Sequence, residues 1–237
     1  MSSKLVFCKY GLSTEACCKI CIMASREYGQ FCGLARAMEM VGERWSMLII
    51  RNLLTGAQRF TDLHKGLPAI PTNILSARLK QLEEAGLATR RALPHPERAV
   101  VYELTDYGRD LEPALIALGR WGARTLTEPR PGELVTAESV AMSFRTTYRP
   151  EAALGVTVGY EVRMGDFTLR LQITDGTLTV GIGRHPAPDL VIERLTGHPI
   201  RELMSGSRTP DEVLNDGSVR IEGDPALLDR FAEMFRF

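Results

Sequence analysis

The sequence predicts a multidomain chain of two successive domains, each of the α+β class, and three observations carry that expectation. Charge is divided: residues 1–132 hold 18 Lys+Arg and 13 Asp+Glu, and residues 133–237 hold 11 and 16. A basic half of +5 and an acidic half of −5 therefore cancel to a net charge of zero, and the two halves should meet different partners. A Pro/Gly stretch, Glu128-Pro129-Arg130-Pro131-Gly132, stops any helix and marks a linker over 128–132. Before it, apolar residues recur mostly at helical spacing with one hairpin; after it they alternate as in strands.

With 44% hydrophobic and 24% charged residues, the composition excludes collagen-like, disordered and disulfide-scaffold classes. No run approaches the ~18 apolar residues of a membrane span, and a cytoplasmic location is expected. All five cysteines (Cys8, Cys17, Cys18, Cys21, Cys32) fall in the first 32 residues, which suits a reducing compartment. Cys18-Lys-Ile-Cys21 supplies two thiolates at zinc spacing, but no His accompanies them and the other pair has no regular spacing. Residues 1–31 are expected to be a disordered extension, with Met23 as an alternative start and no signal peptide. No metal or cofactor is expected.

The first domain spans 32–127. Leu34, Met38 and Val41 share one face of a short helix that Gly42 breaks. Trp45, Leu48, Ile49 and Leu53 mark a second helix, ended by Gly56. Residues 59–65 make a third, with Phe60 and Leu63 inward. Two prolines then set up a turn and a fourth helix over 71–85, whose Leu75, Leu79 and Leu82 form a buried stripe. Its opposite side carries Thr72, Asn73, Ser76, Ala77 and Lys80, small and polar as a helix entering a DNA major groove must be. Two strands follow, 87–91 and 99–104, with Arg90, Arg91, His95 and Arg98 at the base and tip of the hairpin. Together with Arg59 they can neutralise phosphates or reach a minor groove. Thr105 or Asp106 caps one long final helix, whose Leu111, Ala114, Leu115, Leu118 and Trp121 form a stripe too long for the domain to cover. A partner helix, and so a dimer, is expected. This order is that of a winged helix-turn-helix, which binds double-stranded DNA in many proteins and other proteins in some.

Five segments in this order resemble one family: Cys32-Gly-Leu-Ala-Arg-Ala-Met, Val41-Gly-Glu-Arg-Trp-Ser-Met-Leu-Ile-Ile-Arg-Asn-Leu, Arg59-Phe-Thr-Asp-Leu, Ile74-Leu-Ser-Ala-Arg-Leu-Lys-Gln-Leu-Glu-Glu-Ala-Gly-Leu and Tyr102-Glu-Leu-Thr-Asp-Tyr-Gly. They are similar to the HxlR family of bacterial winged-helix regulators, relatives of the MarR type, over about residues 32–125. The resemblance implies a homodimeric transcription factor on a pseudo-palindromic operator, with terminal helices at the dimer interface and repression the commoner outcome. It also makes Cys32 a candidate redox sensor, because oxidant-sensing members carry a Cys at the start of the first helix. A helix N-terminus raises the thiolate fraction of such a thiol. This chain has Gly33 where the family usually has Pro, and simple packing is the competing role for Cys32.

The second domain spans 133–237. Val140, Phe144 and Tyr148 line one side of a helix over 137–148. Phe167, Leu169, Leu171 and Ile173 alternate in a strand, Thr174-Asp175-Gly176 turns, and Leu178, Val180 and Ile182 alternate on the return. A strand over 189–195, short helices over 198–204 and 210–214, a strand over 218–222 and a last helix capped by Asp224-Pro225 complete an α+β layer. Asp189-Leu-Val-Ile-Glu-Arg, His198-Pro-Ile-Arg-Glu-Leu-Met-Ser-Gly, Pro210-Asp-Glu-Val-Leu and Gly217-Ser-Val-Arg-Ile-Glu-Gly-Asp-Pro-Ala-Leu-Leu resemble the sterol-carrier-protein-like domain. That resemblance implies an apolar tunnel for a hydrophobic small-molecule ligand. Phe167, Leu169, Leu203, Met204, Phe231, Met234 and Phe235 are its candidate lining, or else they fill a core. His185 and His198 have no nucleophile or carboxylate at a recognisable spacing.

The function expected is a sequence-specific DNA-binding transcriptional regulator that acts as a homodimer, with a C-terminal domain for a hydrophobic effector. The competing class is a lipid or hydrophobic-ligand carrier in which the winged helix only dimerises. No catalytic constellation or phosphate loop points to an enzyme.

Overall fold

The computed structural model describes residues 27–94, 98–126 and 130–237. The extension with Cys8, Cys17, Cys18 and Cys21, the wing-tip His95 and linker residues 128–129 lie outside the described residues.

The first domain runs α1 (Gly33–Val41), α2 (Ser46–Leu53), β1 (Gln58–Arg59), α3 (Phe60–Gly66), α4 (Thr72–Glu84), β2 (Ala88–Ala92) and β3 (Val100–Leu104). The sheet order is β1-β3-β2, antiparallel throughout, which completes a winged helix-turn-helix. Ile49, Ile50 and Leu53 of α2 meet Leu63 of α3 and the Leu75, Leu79, Leu82 stripe of α4 in one buried cluster. The two-residue β1 is too short for any periodicity to announce. Gln58 is fixed there by its side-chain amide, which donates to the Asn52 carbonyl at 3.1 Å and to Thr55 Oγ1 at 2.9 Å.

The exit of β3 is a tight joint. Thr105 Oγ1 donates to the Gly86 carbonyl at 2.6 Å and accepts from the Gly108 N–H at 3.1 Å, capping the next turn of helix. Gly108 presses its α-carbon against the Leu87 carbonyl, where a Cβ would overlap the oxygen. Gly86 itself has φ +71°, the left-handed conformation that ends α4.

The single long final helix expected from 105 onward is instead two pieces, α5 (Asp106–Arg109) and α6 (Glu112–Ala123). Pro113 is the reason. It lacks an N–H and its ring clashes with the carbonyl four residues back, so it is tolerated only in a first turn and the helix restarts at Glu112.

The second domain runs α7 (Ala137–Thr147), a 3-10 turn (Pro150–Ala153), β4 (Thr157–Arg163), β5 (Thr168–Thr174), β6 (Thr177–Ile182), β7 (Leu190–Arg194), α8 (Pro199–Ser205), α9 (Pro210–Asn215), β8 (Val219–Gly223) and α10 (Ala226–Met234). The sheet order is β6-β5-β4-β7-β8, and only the β4–β7 pair is parallel. The central strand β4 is absent from the sequence expectation. Val158, Tyr160 and Val162 do alternate inward, but Gly159 and Glu161 between them are poor strand formers. They are accommodated because His185 folds over them. Its backbone N–H donates to Glu161 Oε2 at 2.9 Å, its Nε2 lies 3.0 Å from Gln172 Oε1, and a Cβ on Gly159 would meet the ring at 2.6 Å. The other face of the sheet meets α7, α8, α9 and α10 in a single apolar core.

The two domains are in contact through α7. Gly119 of α6 comes so close to Thr146 that a Cβ would lie 2.6 Å from its methyl. Arg120 donates from Nε to the Thr146 carbonyl at 2.7 Å and from Nη2 to the Tyr148 carbonyl at 3.2 Å, satisfying the last carbonyls of α7. Part of the cover predicted for α6 is therefore supplied by this chain's own α7. Leu115 is buried, whereas Leu118 (53% exposed) and Trp121 (70%) remain open.

Candidate nucleic-acid interface and interdomain cleft

The α4 stripe turns Leu75, Leu79 and Leu82 inward and leaves Thr72, Asn73, Ser76, Ala77 and Lys80 exposed on one side. The Ser76 hydroxyl donates to the Thr72 carbonyl at 2.9 Å, so its oxygen remains open as an acceptor. Lys80 lies 3.8 Å from Glu84 one turn on, an exposed contact too weak to neutralise it. Arg78 is turned away from this face and ties α4 to the α1–α2 turn. Its Nη2 pairs with Glu43 at 2.7 Å, its Nε donates to the Arg44 carbonyl at 3.3 Å, and its Nη1 to Gln81 at 2.6 Å. Arg44, exposed beside α4 and stacked 5.2 Å above the Trp45 ring, is a cation the sequence reading passed over. Trp45 follows it with φ +83° in the turn, a conformation that its residue type does not announce.

Strand register separates the wing arginines. Arg59 and Arg91 both pair with Val101, so they flank it on one face of the sheet, while Arg90 pairs with Tyr102 and points to the other face. The Arg91 guanidinium is held by Glu103, Nε to Oε1 at 2.9 Å and Nη2 to Oε2 at 3.2 Å. That contact raises the arginine's pKa and holds the Glu103 carboxyl below its ordinary value. Arg90 and Arg98 are exposed with no ion pair among the described residues, and Arg98 sits in the turn at φ +36°. Cys32 is the exposed N-cap of α1, and the neighbouring backbone N–H groups of Ala35 and Leu34 hold its thiol below the usual range.

Six of the seven side chains expected to line a tunnel in the second domain are fully buried there. Phe231 is packed against Phe144 at 5.9 Å, Tyr160 at 5.4 Å and Phe235 at 4.8 Å between ring centroids. Leu169, Leu203, Met204 and Met234 complete the same cluster, and Phe167 is half-buried against it. These residues fill the space between sheet and helices themselves. The open volume lies elsewhere: a cleft of about 1300 Å³ runs between the end of α6, residues 133–135, α7 and α8. Met204 is the one predicted lining residue that borders it, and His198 sits at its edge. Among the described residues no group of three or more His, Cys, Asp or Glu could hold a metal.

Beneath the α2–α7 contact, Glu138 is buried beside Gly66, Asn52 and Arg51. Burial pulls the Arg51 guanidinium down, and the Glu138 charge opposes that shift. The Asn52 side-chain Nδ2 is buried without a hydrogen-bond partner among the described residues.

Comparison with known proteins places the first domain. A family model described as HxlR-like helix-turn-helix matches residues 40–130. The uncharacterized HTH-type transcriptional regulator Rv3095 of Mycobacterium tuberculosis is 43% identical over 98 residues, 41% of this chain and 60% of that protein. The chain thus spans less than two thirds of that relative's length. The uncharacterized HTH-type transcriptional regulator YvaP of Bacillus subtilis is 37% identical over 86 residues, 36% of this chain and 80% of YvaP. Among solved structures, the reduced form of the transcriptional regulator YodB from B. subtilis aligns at 30% identity with a TM-score of 0.37, over 44% of this chain and all of that one.

Proposed function

Because the chain belongs to the HxlR-like helix-turn-helix family of transcriptional regulators, we propose that it is a sequence-specific DNA-binding repressor that works as a homodimer and responds to a small apolar effector held by its C-terminal half. The observation that carries the reading is the α4 surface: a buried leucine stripe backed by an exposed row of Thr72, Asn73, Ser76, Ala77 and Lys80. Asn can read adenine by a bidentate pair, and Ser and Lys contact bases or phosphates. Arg59, Arg90, Arg91 and Arg98, with His95 at the wing tip, supply the phosphate contacts on either side. Exposed Leu118 and Trp121 on α6, with Phe31 and Leu34 at α1, form the dimer surface. Dimer half-sites then lie about one helical turn apart, ~34–36 Å. The order β6-β5-β4-β7-β8 with helices on one face supports a sterol-carrier-like second domain.

The test is a gel shift of the full chain with the DNA upstream of its own gene, repeated across salt concentrations and with added fatty acids. Specific binding that weakens steeply with salt supports the reading. Negligible, salt-independent DNA binding alongside tight lipid binding assigns the chain to the carrier class instead.

A further inference from the structure

The cleft between the domains has a composition at odds with the acidic half that forms most of it. Its apolar wall includes Leu126 and Leu134, 69% and 67% exposed, with Val135, Val140, Ile200 and Met204. Its rim carries Arg120, Arg124, Arg149, Arg201 and Arg236 against two side-chain carboxylates among the described residues, Glu133 and Glu151. Both carboxylates are already engaged: Glu133 with Arg130, Nε to Oε1 at 2.6 Å, and Glu151 with Arg149 at 3.1 Å. Arg124 and Arg236 have no ion pair among the described residues, and the hydrogen bonds of Arg120 go to neutral carbonyls. Tyr148, on the same wall and only 7% exposed, keeps a buried hydroxyl with no hydrogen-bond partner among the described residues.

We infer that the interdomain cleft, and not the interior of the C-terminal domain, is the ligand site, and that its ligand is an anionic amphiphile: an apolar chain with a carboxylate or phosphate head. The chain lies along the Leu126–Leu134–Met204 wall, and the head meets the guanidinium groups of Arg124 and Arg236, whose planar forks match either oxyanion. At about 1300 Å³ the cleft exceeds the ~300–1,000 Å³ of an ordinary small-molecule site, which suits an extended chain. Arg120 lies on α6 of the winged-helix domain and Arg124 caps its C-terminus, while Arg236 and the Met204 wall belong to the second. A ligand so held bears on both domains at once, and its differential affinity for their docked and undocked arrangements is what would shift the DNA-binding equilibrium. The inference rests on the reading that the chain holds an effector.

The full chain is titrated by calorimetry with decanoate, decyl phosphate and 1-decanol, which share one chain and differ in head group. At least one of the anions binds ten-fold or more tighter than decanol, and which anion does so identifies the head. Arg124→Gln with Arg236→Gln removes that advantage while decanol binding stays the same, and Arg124→Lys with Arg236→Lys retains most of it. Equal affinity for decanol and both anions, or an anion preference untouched by the double Gln variant, overturns the inference while leaving an apolar effector in place. Binding of none of the three overturns the effector reading along with it.

Discussion

Arg145 and Glu112 join the two domains: Arg145 Nε lies 2.7 Å from Glu112 Oε1, linking α7 of the second domain to α6 of the first. The same guanidinium reaches further with Nη2, which donates to the Leu54 carbonyl at 3.0 Å and the Val180 carbonyl at 3.2 Å. One planar cation therefore spans the end of α2, the start of α6 and strand β6, and its side chain is only 9% exposed. Ser139, Val140 and Ser143 of α7 border the cleft, so one helix touches both the cleft and the winged helix.

Removing that cation should loosen the docking. The Glu112 carboxylate is 37% exposed and regains water, so the ion pair contributes little. The two carbonyls are the costly part, because they are left under-satisfied. We expect Arg145→Ala to lose about 2–3 kcal/mol in urea unfolding, with Glu112→Gln losing under about 1. An Arg145→Ala midpoint equal to that of the unaltered protein would show that the domains dock without it.

The Thr105–Gly108 joint predicts a second sensitivity. Any side chain at 108 must displace the Leu87 carbonyl, which is backbone and cannot rotate away. Gly108→Ala is expected to lower stability by about 2–3 kcal/mol, as overpacking against fixed neighbours does. Gly122→Ala, where a Cβ meets nothing within 4 Å, should by contrast be neutral or stabilising in thermal melts.

Trp121 and Leu118 test the dimer surface. Trp121→Glu places a charge in the middle of the exposed face of α6, which costs nothing in an isolated monomer and a great deal in a buried interface. Sedimentation velocity should show a dimer for the unaltered chain and a monomer for the variant, with far-UV circular dichroism unchanged. A variant that remains dimeric moves the interface elsewhere.

Helix α4 was legible in the sequence because its 3.6-residue leucine repeat ends cleanly at Gly86. The same reasoning could not find Arg145, whose partners lie 33, 35 and 91 residues away and meet only once the domains dock. Strand β4 escaped because Gly159 and Glu161 interrupt its apolar rhythm, and their burial depends on the distant His185. Phe231, Met234 and Phe235 were correctly read as inward-facing. Whether an apolar stripe lines a space or fills it depends on its neighbours, and here Phe144 and Tyr160 close that space. Arg90 and Arg91 were grouped by adjacency, although strand periodicity already sends neighbours to opposite faces.

That split gives a prediction for DNA binding. Arg90 carries a full, unpaired charge among the described residues, whereas Arg91 is already held by Glu103. Arg90→Ala should reduce the log–log salt slope of operator binding by about 0.9, the value for one lost phosphate contact, and Arg91→Ala by clearly less. Glu103→Gln should free Arg91 and tighten binding at low salt. Equal slopes for the two alanine variants would mean that Glu103 yields its partner to the DNA.

Cys32 provides a pH-dependent test. The amides of Ala35 and Leu34 favour its thiolate, so its pKa in the folded protein lies below that of the same thiol in the unfolded chain. At any pH between those two values the folded protein carries more thiolate, and since the thiolate is the nucleophile, alkylation is faster than in denatured protein. The rate should reach its plateau at a lower pH in the folded state and fall away as pH drops through the folded pKa. Iodoacetamide labelling of the Cys32 peptide, followed by mass spectrometry from pH 6 to 10 with and without urea, checks this, because the peptide readout separates Cys32 from the four cysteines before it. If the two profiles coincide, the helix terminus does not activate this thiol. If they differ, Cys32→Ser should also abolish any release of DNA by diamide; release that persists in the variant assigns the oxidant response to another residue.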